Sequence, residues 1–175
     1  KEKDSSPREL GPIGHGQSRT CATVLGPDGN IWAGSIPDYN SGPTGALSRW
    51  DPRTDEHTSW TDLVPGGAIR AMVADDRCLY CAGGGRFFAW DPRSERKVCE
   101  LELNVSALVL LQDGCVLLSV GSDLTVFDPA PMSIARIDPI AGTGEKIANV
   151  GGTLLTADAR GDLYFARHAE LFRLA

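Results

Sequence analysis

His15 and His168 are the side chains best suited to move protons near neutral pH, because imidazole alone titrates there without perturbation. Tyr39 can give or take a proton once its surroundings shift it, and Arg19, Arg70, Arg86 or Arg167 can grip a carboxylate through paired hydrogen bonds. Asp38, next to Tyr39, is grouped with the arginines as a ligand-binding candidate. A base, an acid and a cation that stabilises a developing enolate form the set needed to abstract a proton beside a carboxylate. Cys78-Leu-Tyr-Cys81 has the spacing of a zinc or redox motif, but residues three apart on a strand point to opposite faces. No metal site is therefore expected, and the sequence names no cofactor.

What must position these groups is a repeat. Leu47-Ser-Arg-Trp-Asp-Pro52, Phe87-Phe-Ala-Trp-Asp-Pro92 and Leu124-Thr-Val-Phe-Asp-Pro129 copy one another, and Leu171-Phe-Arg-Leu-Ala175 is a fourth copy without its Asp-Pro. The aromatic position falls at Trp50, Trp90 and Phe127, with Leu174 in its place at the end, a period typical of solenoids, propellers or arrays. Within the second unit, Ile69–Ala74, Cys78–Ala82, Phe87–Trp90 and Lys97–Leu103 are short apolar runs bounded by Gly, Pro and Asp, which reads as four strands. The third unit repeats the plan in Ser106–Leu111, Cys115–Val120, Leu124–Phe127 and Ser133–Ile137. No window carries apolar residues at helical spacing over ten or more positions. Four strands per unit of this length predict an all-β chain, a β-propeller of four-stranded antiparallel blades, with about four blades present and the last incomplete. The expected boundaries are residues 1–13 for an N-terminal segment, serving as a linker or as the outer strand of a neighbouring blade, and 14–175 for the partial propeller. Its blades are expected at about 19–63, 68–103, 105–138 and 146–175.

Register isolates one departure. Leu79 to Phe87, Val116 to Leu124 and Leu163 to Leu171 have equal spacing, whereas Ile31 to Leu47 is twice as long, so residues 35–45 are an insertion between the second and third strands of blade one. Insertions of this kind map to loops, often on a binding face. Two other strings are expected to be turn chemistry. Arg160-Gly161-Asp162 aligns with the hairpin turn at Gly114, and the Asp-Pro steps at 51, 91 and 128 suit an Asp that caps the following backbone and a Pro that fixes φ.

The strands ending in Trp-Asp or Phe-Asp, with Asp-Gly turns at Asp28-Gly29 and Asp113-Gly114, resemble the broad propeller superfamily that includes WD40, NHL, quinoprotein-type and streptogramin-lyase-like repeats. Gly14-His15 ahead of Trp50-Asp51, and Gly121-Ser-Asp-Leu-Thr-Val-Phe-Asp128, are similar to WD40 elements, but blades two and three lack the Gly-His dipeptide. The Asp-Pro that follows Trp50 and Trp90 looks more like bacterial propellers of the streptogramin-lyase and polysaccharide-lyase kinds. That resemblance implies a first strand lining the central axis and one mouth built from inter-blade and second-to-third-strand loops. Gly14–Ser18, the 35–45 insertion, Pro65–Gly67, Arg86, Asn104, Glu145–Lys146 and Arg167–His168 would then share it.

Composition narrows the class of partner. A net charge of -6 disfavours nucleic acid or an anionic membrane surface as a partner. Neither a membrane-spanning run nor an apolar leader is visible, and the five cysteines are expected as buried thiols that weakly favour a cytoplasmic compartment, which leaves localisation open. Four blades are about half of a ring of seven or eight. The chain would be a portion of a larger propeller, half of a dimeric ring, or a small closed ring whose last blade borrows residues 5–13 as its outer strand. The functional expectation is a non-catalytic module that binds a ligand or partner across its loop face. The partner would be a small molecule or carbohydrate, or another copy or fragment completing the ring. The alternative is a lyase for an anionic carbohydrate or cyclic ester that uses His15 or His168 with Tyr39 and an Arg.

Overall fold

The computed structural model describes residues 9–39, 44–121, 123–130, 133–136, 154–167 and 170–174. Every regular element among them is a strand, and the strands form four separate antiparallel sheets in chain order. Blade one is β1 (Gln17–Leu25), β2 (Ile31–Pro37), β3 (Leu47–Trp50) and β4 (His57–Trp60). Blade two is β5 (Ala71–Ala74), β6 (Leu79–Gly83), β7 (Arg86–Asp91) and β8 (Arg96–Glu102). Blade three is β9 (Val105–Leu110), β10 (Val116–Val120), β11 (Asp123–Asp128) and β12 (Ser133–Arg136). Blade four has three described strands, β13 (Leu154–Ala157), β14 (Leu163–Arg167) and β15 (Glu170–Leu174). The first strands lie in a row, β1 beside β5, β5 beside β9 and β9 beside β13. This is the partial β-propeller that the repeats predict.

Strand alternation assigns each side chain to one of two joints. Leu79, Cys81, Phe88 and Trp90 point back toward blade one and pack with Trp32 and Leu47. Cys78, Tyr80, Ala82, Phe87 and Ala89 point forward and pack with Leu108, Val116, Leu118 and Phe127 of blade three. Cys78 and Cys81 therefore stand in different cores, as period-two alternation requires, and no cluster of three metal-ligating side chains occurs among the described residues. Burial pushes the Cys78 thiol up to about 11, with the nearby Asp75 and Asp91 charges adding to it. Both thiols are inert at neutral pH. Cys21, by contrast, is exposed.

Each inner hairpin is closed by one aspartate. A carboxylate oxygen of Asp28, Asp75, Asp113 and Asp158 accepts the backbone N–H two residues on, at 3.2, 2.8, 2.9 and 2.9 Å. In three of the four blades an aromatic from the next strand donates to the same Asp: Trp32 Nε1 to Asp28 at 3.0 Å, Tyr80 OH to Asp75 at 2.8 Å and Tyr164 OH to Asp158 at 3.4 Å. The Arg160-Gly161-Asp162 string is part of such a turn, with Gly161 at φ 92° where Gly114 has 86°. At the outer hairpins Asp51, Asp91 and Asp128 accept from Arg53, Arg93 and Ala130, so the Asp-Pro steps are turn chemistry too.

These turns make stability depend on pH in a defined direction. Burial raises the Asp75 pKa, but N–H groups of Cys78 and Arg77, the Tyr80 hydroxyl and the Arg77 charge outweigh it and hold the carboxyl below its ordinary range. Burial, together with the bond to Asp75, pushes the Tyr80 phenol well up. A depressed Asp stabilises the fold above its unfolded pKa of about 3.9, and this contribution is lost as pH falls through the folded value. A raised Tyr stabilises it below about pH 10, and that contribution is lost as pH rises further. Chemical denaturation against pH is expected to give a plateau between those limits, and Asp75→Asn to flatten the acid limb while lowering the plateau by about 1–3 kcal/mol.

Two loop boundaries differ from the sequence reading. β1 opens at Gln17, inside the stretch read as a loop over 14–18, and Ser35–Pro37 extend β2 rather than belonging to a loop. The reason is pairing: Gln17 meets Pro37 and Arg19 meets Ile36, with a bulge between the two pairs.

Candidate functional site

The extended β2 and the short hairpin of blade two enclose a cleft. Ser35 carries the pairing of β2 across the blade joint, because its carbonyl accepts from Ile69 N at 3.1 Å, and Gly45 N donates to Gly67 O at 2.7 Å. Arg70 N then bonds Ala82 O at 2.8 Å, so residues 67–70 are held between two sheets. Opposite the insertion, β6 and β7 are joined through Gly84 and Gly85, at φ 55° and 74°, the two positive values that a two-residue type I′ turn demands. A cleft of about 410 Å³ lies between these walls, lined by Ile36, Pro37, Asp38, Tyr39, Gly66, Gly67, Ala68, Arg70 and Gly84.

A partly buried polar network pins the insertion. Gln17 Nε2 donates to Thr44 O at 3.2 Å, while Gln17 Oε1 accepts from Ser35 Oγ at 2.6 Å and from Ala46 N at 3.2 Å. Thr44 Oγ1 donates to Asp62 Oδ1 at 3.0 Å and accepts from Asp62 N at 3.1 Å. One side chain of β1 thus ties both ends of the insertion to the blade, and polar atoms bonded on all sides in this way hold a fixed geometry.

Of the residues singled out in the sequence, Asp38, Tyr39 and Arg70 come together here. Tyr39 is fully exposed, with its whole ring available to a ligand. Arg70 is exposed and makes no ion pair among the described residues, in contrast to Arg86, whose guanidinium is held by Glu102 at 2.8 Å. Arg86 and Arg19 do not line the cleft; Arg19 is exposed on β1 opposite Ile36. His15 is also exposed and outside the lining, although its turn is adjacent, since Asp38 N donates to Gly16 O at 2.8 Å. Arg167 belongs to β14, but its side chain lies outside the described residues, as does His168 altogether. Glu145 and Lys146 also lie outside them.

The sequence places Gln17 and Ser35 within the loops of the mouth without singling either out, and Gly84 is not among the candidates. The signal for Ser35 was a polar residue on the otherwise apolar face of Ile31 and Ala33, and for Gly84 the run Gly83-Gly-Gly85 closing a hairpin, whereas Gln17, followed at alternate positions by Arg19 and Cys21, gave none.

A row of antiparallel blades with a cleft on the loop side defines the class of fold, and comparison with solved structures agrees. The chain is similar to virginiamycin B lyase from Staphylococcus aureus, with a TM-score of 0.64 and 12% identity over 89% of this chain and 55% of that one. It is likewise similar to the extracellular domain of the putative hybrid two-component system BT4673 from B. thetaiotaomicron, with a TM-score of 0.59 and 15% identity over 83% of this chain and 20% of that one. A chain of the mitotic checkpoint complex matches with a TM-score of 0.60 and 14% identity over 85% of this chain and 46% of that one. All are β-propeller-type folds, and identities this low establish a shared fold alone. The chain spans about half or less of the length of these structures. No family model and no curated protein matches it.

Proposed function

We propose that this chain is a β-propeller module that binds a small molecule or carbohydrate in the cleft between blades one and two, without catalysing a reaction on it. The observation that supports this reading is the convergence of Asp38, Tyr39 and Arg70 on one concave site whose walls are fixed by backbone bonds. Concave sites with a few convergent polar groups are where ligands bind. An exposed aromatic offers a flat apolar surface to a ring, and a carboxylate beside a guanidinium can satisfy neighbouring hydroxyls or an acid group. Titration calorimetry against a panel of neutral and acidic sugars and small carboxylic acids is expected to find a ligand whose affinity drops about tenfold or more in Arg70→Ala and in Tyr39→Ala, the loss expected of a hydrogen-bonded charge or a stacked ring. Binding that both variants retain in full places the site elsewhere.

A lyase is the second reading, supported by the bond from Asp38 N to Gly16 O, which holds the backbone turn that carries His15 next to the cleft. It requires that a bound ligand be converted over time and that His15→Ala or Tyr39→Phe stop the conversion. A ligand recovered unchanged by mass spectrometry after long incubation leaves the binding module standing.

A further inference from the structure

Blade one differs from its neighbours in how its second and third strands are tied together. In blades two and three these strands pair right up to the turn, Gly83 with Arg86 and Val120 with Asp123. In blade one the pairing of β2 with β3 ends at Gly34 and Leu47, where the chain leaves it for the insertion. The side chain of Gln17, on the neighbouring strand β1, spans the gap. Its Oε1 accepts from Ser35 Oγ at 2.6 Å and from Ala46 N at 3.2 Å, while its Nε2 donates to Thr44 O at 3.2 Å and to His15 O at 3.4 Å. Two of these partners are donors and two are acceptors. A side-chain amide serves both kinds, whereas an ionised Glu of the same length offers acceptors alone and would turn its charge on the carbonyl oxygens of Thr44 and His15.

Gln17 is not among the residues that line the cleft, but what it holds leads into both walls. Asp38 N donates to Gly16 O at 2.8 Å, so the turn that runs into Gln17 also fixes the backbone just before Tyr39. Thr44 is followed by Gly45, whose N–H bonds Gly67 O at 2.7 Å in the opposite wall. Ser35 O accepts from Ile69 N at 3.1 Å, one residue before Arg70.

We propose that Gln17 is a positioning residue for the cleft: its amide holds Asp38 and Tyr39 in register with Arg70, so that a ligand meets a mouth already formed. The effect on affinity rests on the cleft being the ligand site, whereas the effect on geometry rests on the hydrogen bonds alone. Groups fixed in advance bind without the cost of being ordered by the ligand.

Amide hydrogen exchange followed by NMR on the unliganded chain reads the geometry. Gln17→Met keeps the side chain's length and removes its polar atoms. Protection of the Asp38 and Gly45 N–H groups is expected to fall about tenfold or more in this variant, while Leu111 N–H, bonded to Cys115 O in blade three, keeps its own. In Gln17→Glu the same loss is expected at pH 7, and it is expected to reverse as pH falls toward the ordinary carboxyl range of about 4.3, because the protonated acid regains an O–H donor for Thr44 O. His15, Asp38 and Asp62 titrate around this network in the unaltered chain as well, so the ratio between the two chains at each pH isolates residue 17. Unchanged protection of Asp38 and Gly45 in Gln17→Met overturns the proposal, as does an equal loss at Leu111, which marks a general loss of stability. A loss in Gln17→Glu that acid does not reverse overturns the part given to the Nε2 donor. For a ligand that Tyr39→Ala and Arg70→Ala weaken, calorimetry is expected to show Gln17→Met lowering affinity about threefold or more, and an unchanged affinity overturns the link to binding. If no ligand shows that dependence, the reading of the cleft fails, while the exchange data still decide whether Gln17 holds its mouth.

Discussion

Gly83→Ala is expected to destabilise the chain by about 3 kcal/mol or more and to abolish ligand binding in whatever folds. A Cβ built on Gly83 stands 1.7 Å from the carbonyl oxygen of Ala68 and 3.1 Å from Ile69 Cα. Both are backbone atoms, held by the Ile69 N to Ser35 O and Arg70 N to Ala82 O bonds, so neither can swing aside as a side chain would. Relief demands a shift of residues 68–70, which breaks one or both bonds and displaces Arg70 from the cleft. Forcing even one methyl into a packed interior costs about 1–3 kcal/mol, and losing a buried backbone bond adds to that. Thermal unfolding and calorimetry on Gly83→Ala beside Gly85→Ala separate the effects. A Cβ at Gly85 meets nothing within 4 Å, so that variant carries the backbone strain of the turn without the collision.

Phe87→Ala is expected to cost about 3–5 kcal/mol while leaving cleft affinity unchanged below the unfolding transition. Phe87 is completely buried in the joint between blades two and three, with its ring 4.9 Å from Phe127 in an edge-to-face arrangement and 6.4 Å from Tyr80. Truncation removes one of the two aromatic rings that blade two sends forward, and the flanking rings cannot fill the space without leaving their rotamers. Because the cleft belongs to the other joint, affinity and stability should separate. Urea unfolding followed by far-ultraviolet circular dichroism measures the loss, and calorimetry at low temperature measures the affinity. A fall in both would mean that the two joints are coupled.

The fold was legible because a blade is a local object. Strand alternation, turn residues and the Trp-Asp-Pro segments all act within some forty residues, and the opposed burial of Cys78 and Cys81 follows from the period-two rule alone. The cleft was legible in part. The insertion announced itself by breaking the repeat, and Asp38 and Tyr39 came with it, whereas Arg70 was one of several arginines between which spacing could not choose. What separates Arg70 from Arg86 is a carboxylate on the neighbouring strand, and Glu102 is brought there only by the register of β7 on β8. Gln17 was hidden for a similar reason. Its value lies in reaching Thr44, Ser35 and Ala46 at once, a three-way meeting that exists only after the bulge in β1 sets its position. The aromatic donors Trp32, Tyr80 and Tyr164 escaped notice because their distances from the turn Asp vary along the chain while their positions on the hairpin do not.

Those aspartate-locked hairpins bear on how such a chain could have arisen. In each inner turn the carboxylate satisfies the exposed amides of its own hairpin, and in three blades it also takes the polar tip of the aromatic that would otherwise be stranded in the joint. A unit completed in this way presents its neighbours with hydrocarbon and little else. A duplicated copy inherits its own lock and needs a partner only for its faces, which tolerate drift as long as volume is kept. Lengthening the row by one unit therefore brings each such aromatic donor with its own acceptor, and the joint between blades one and two, stitched by its backbone bonds, is where later change built something that a plain copy lacks.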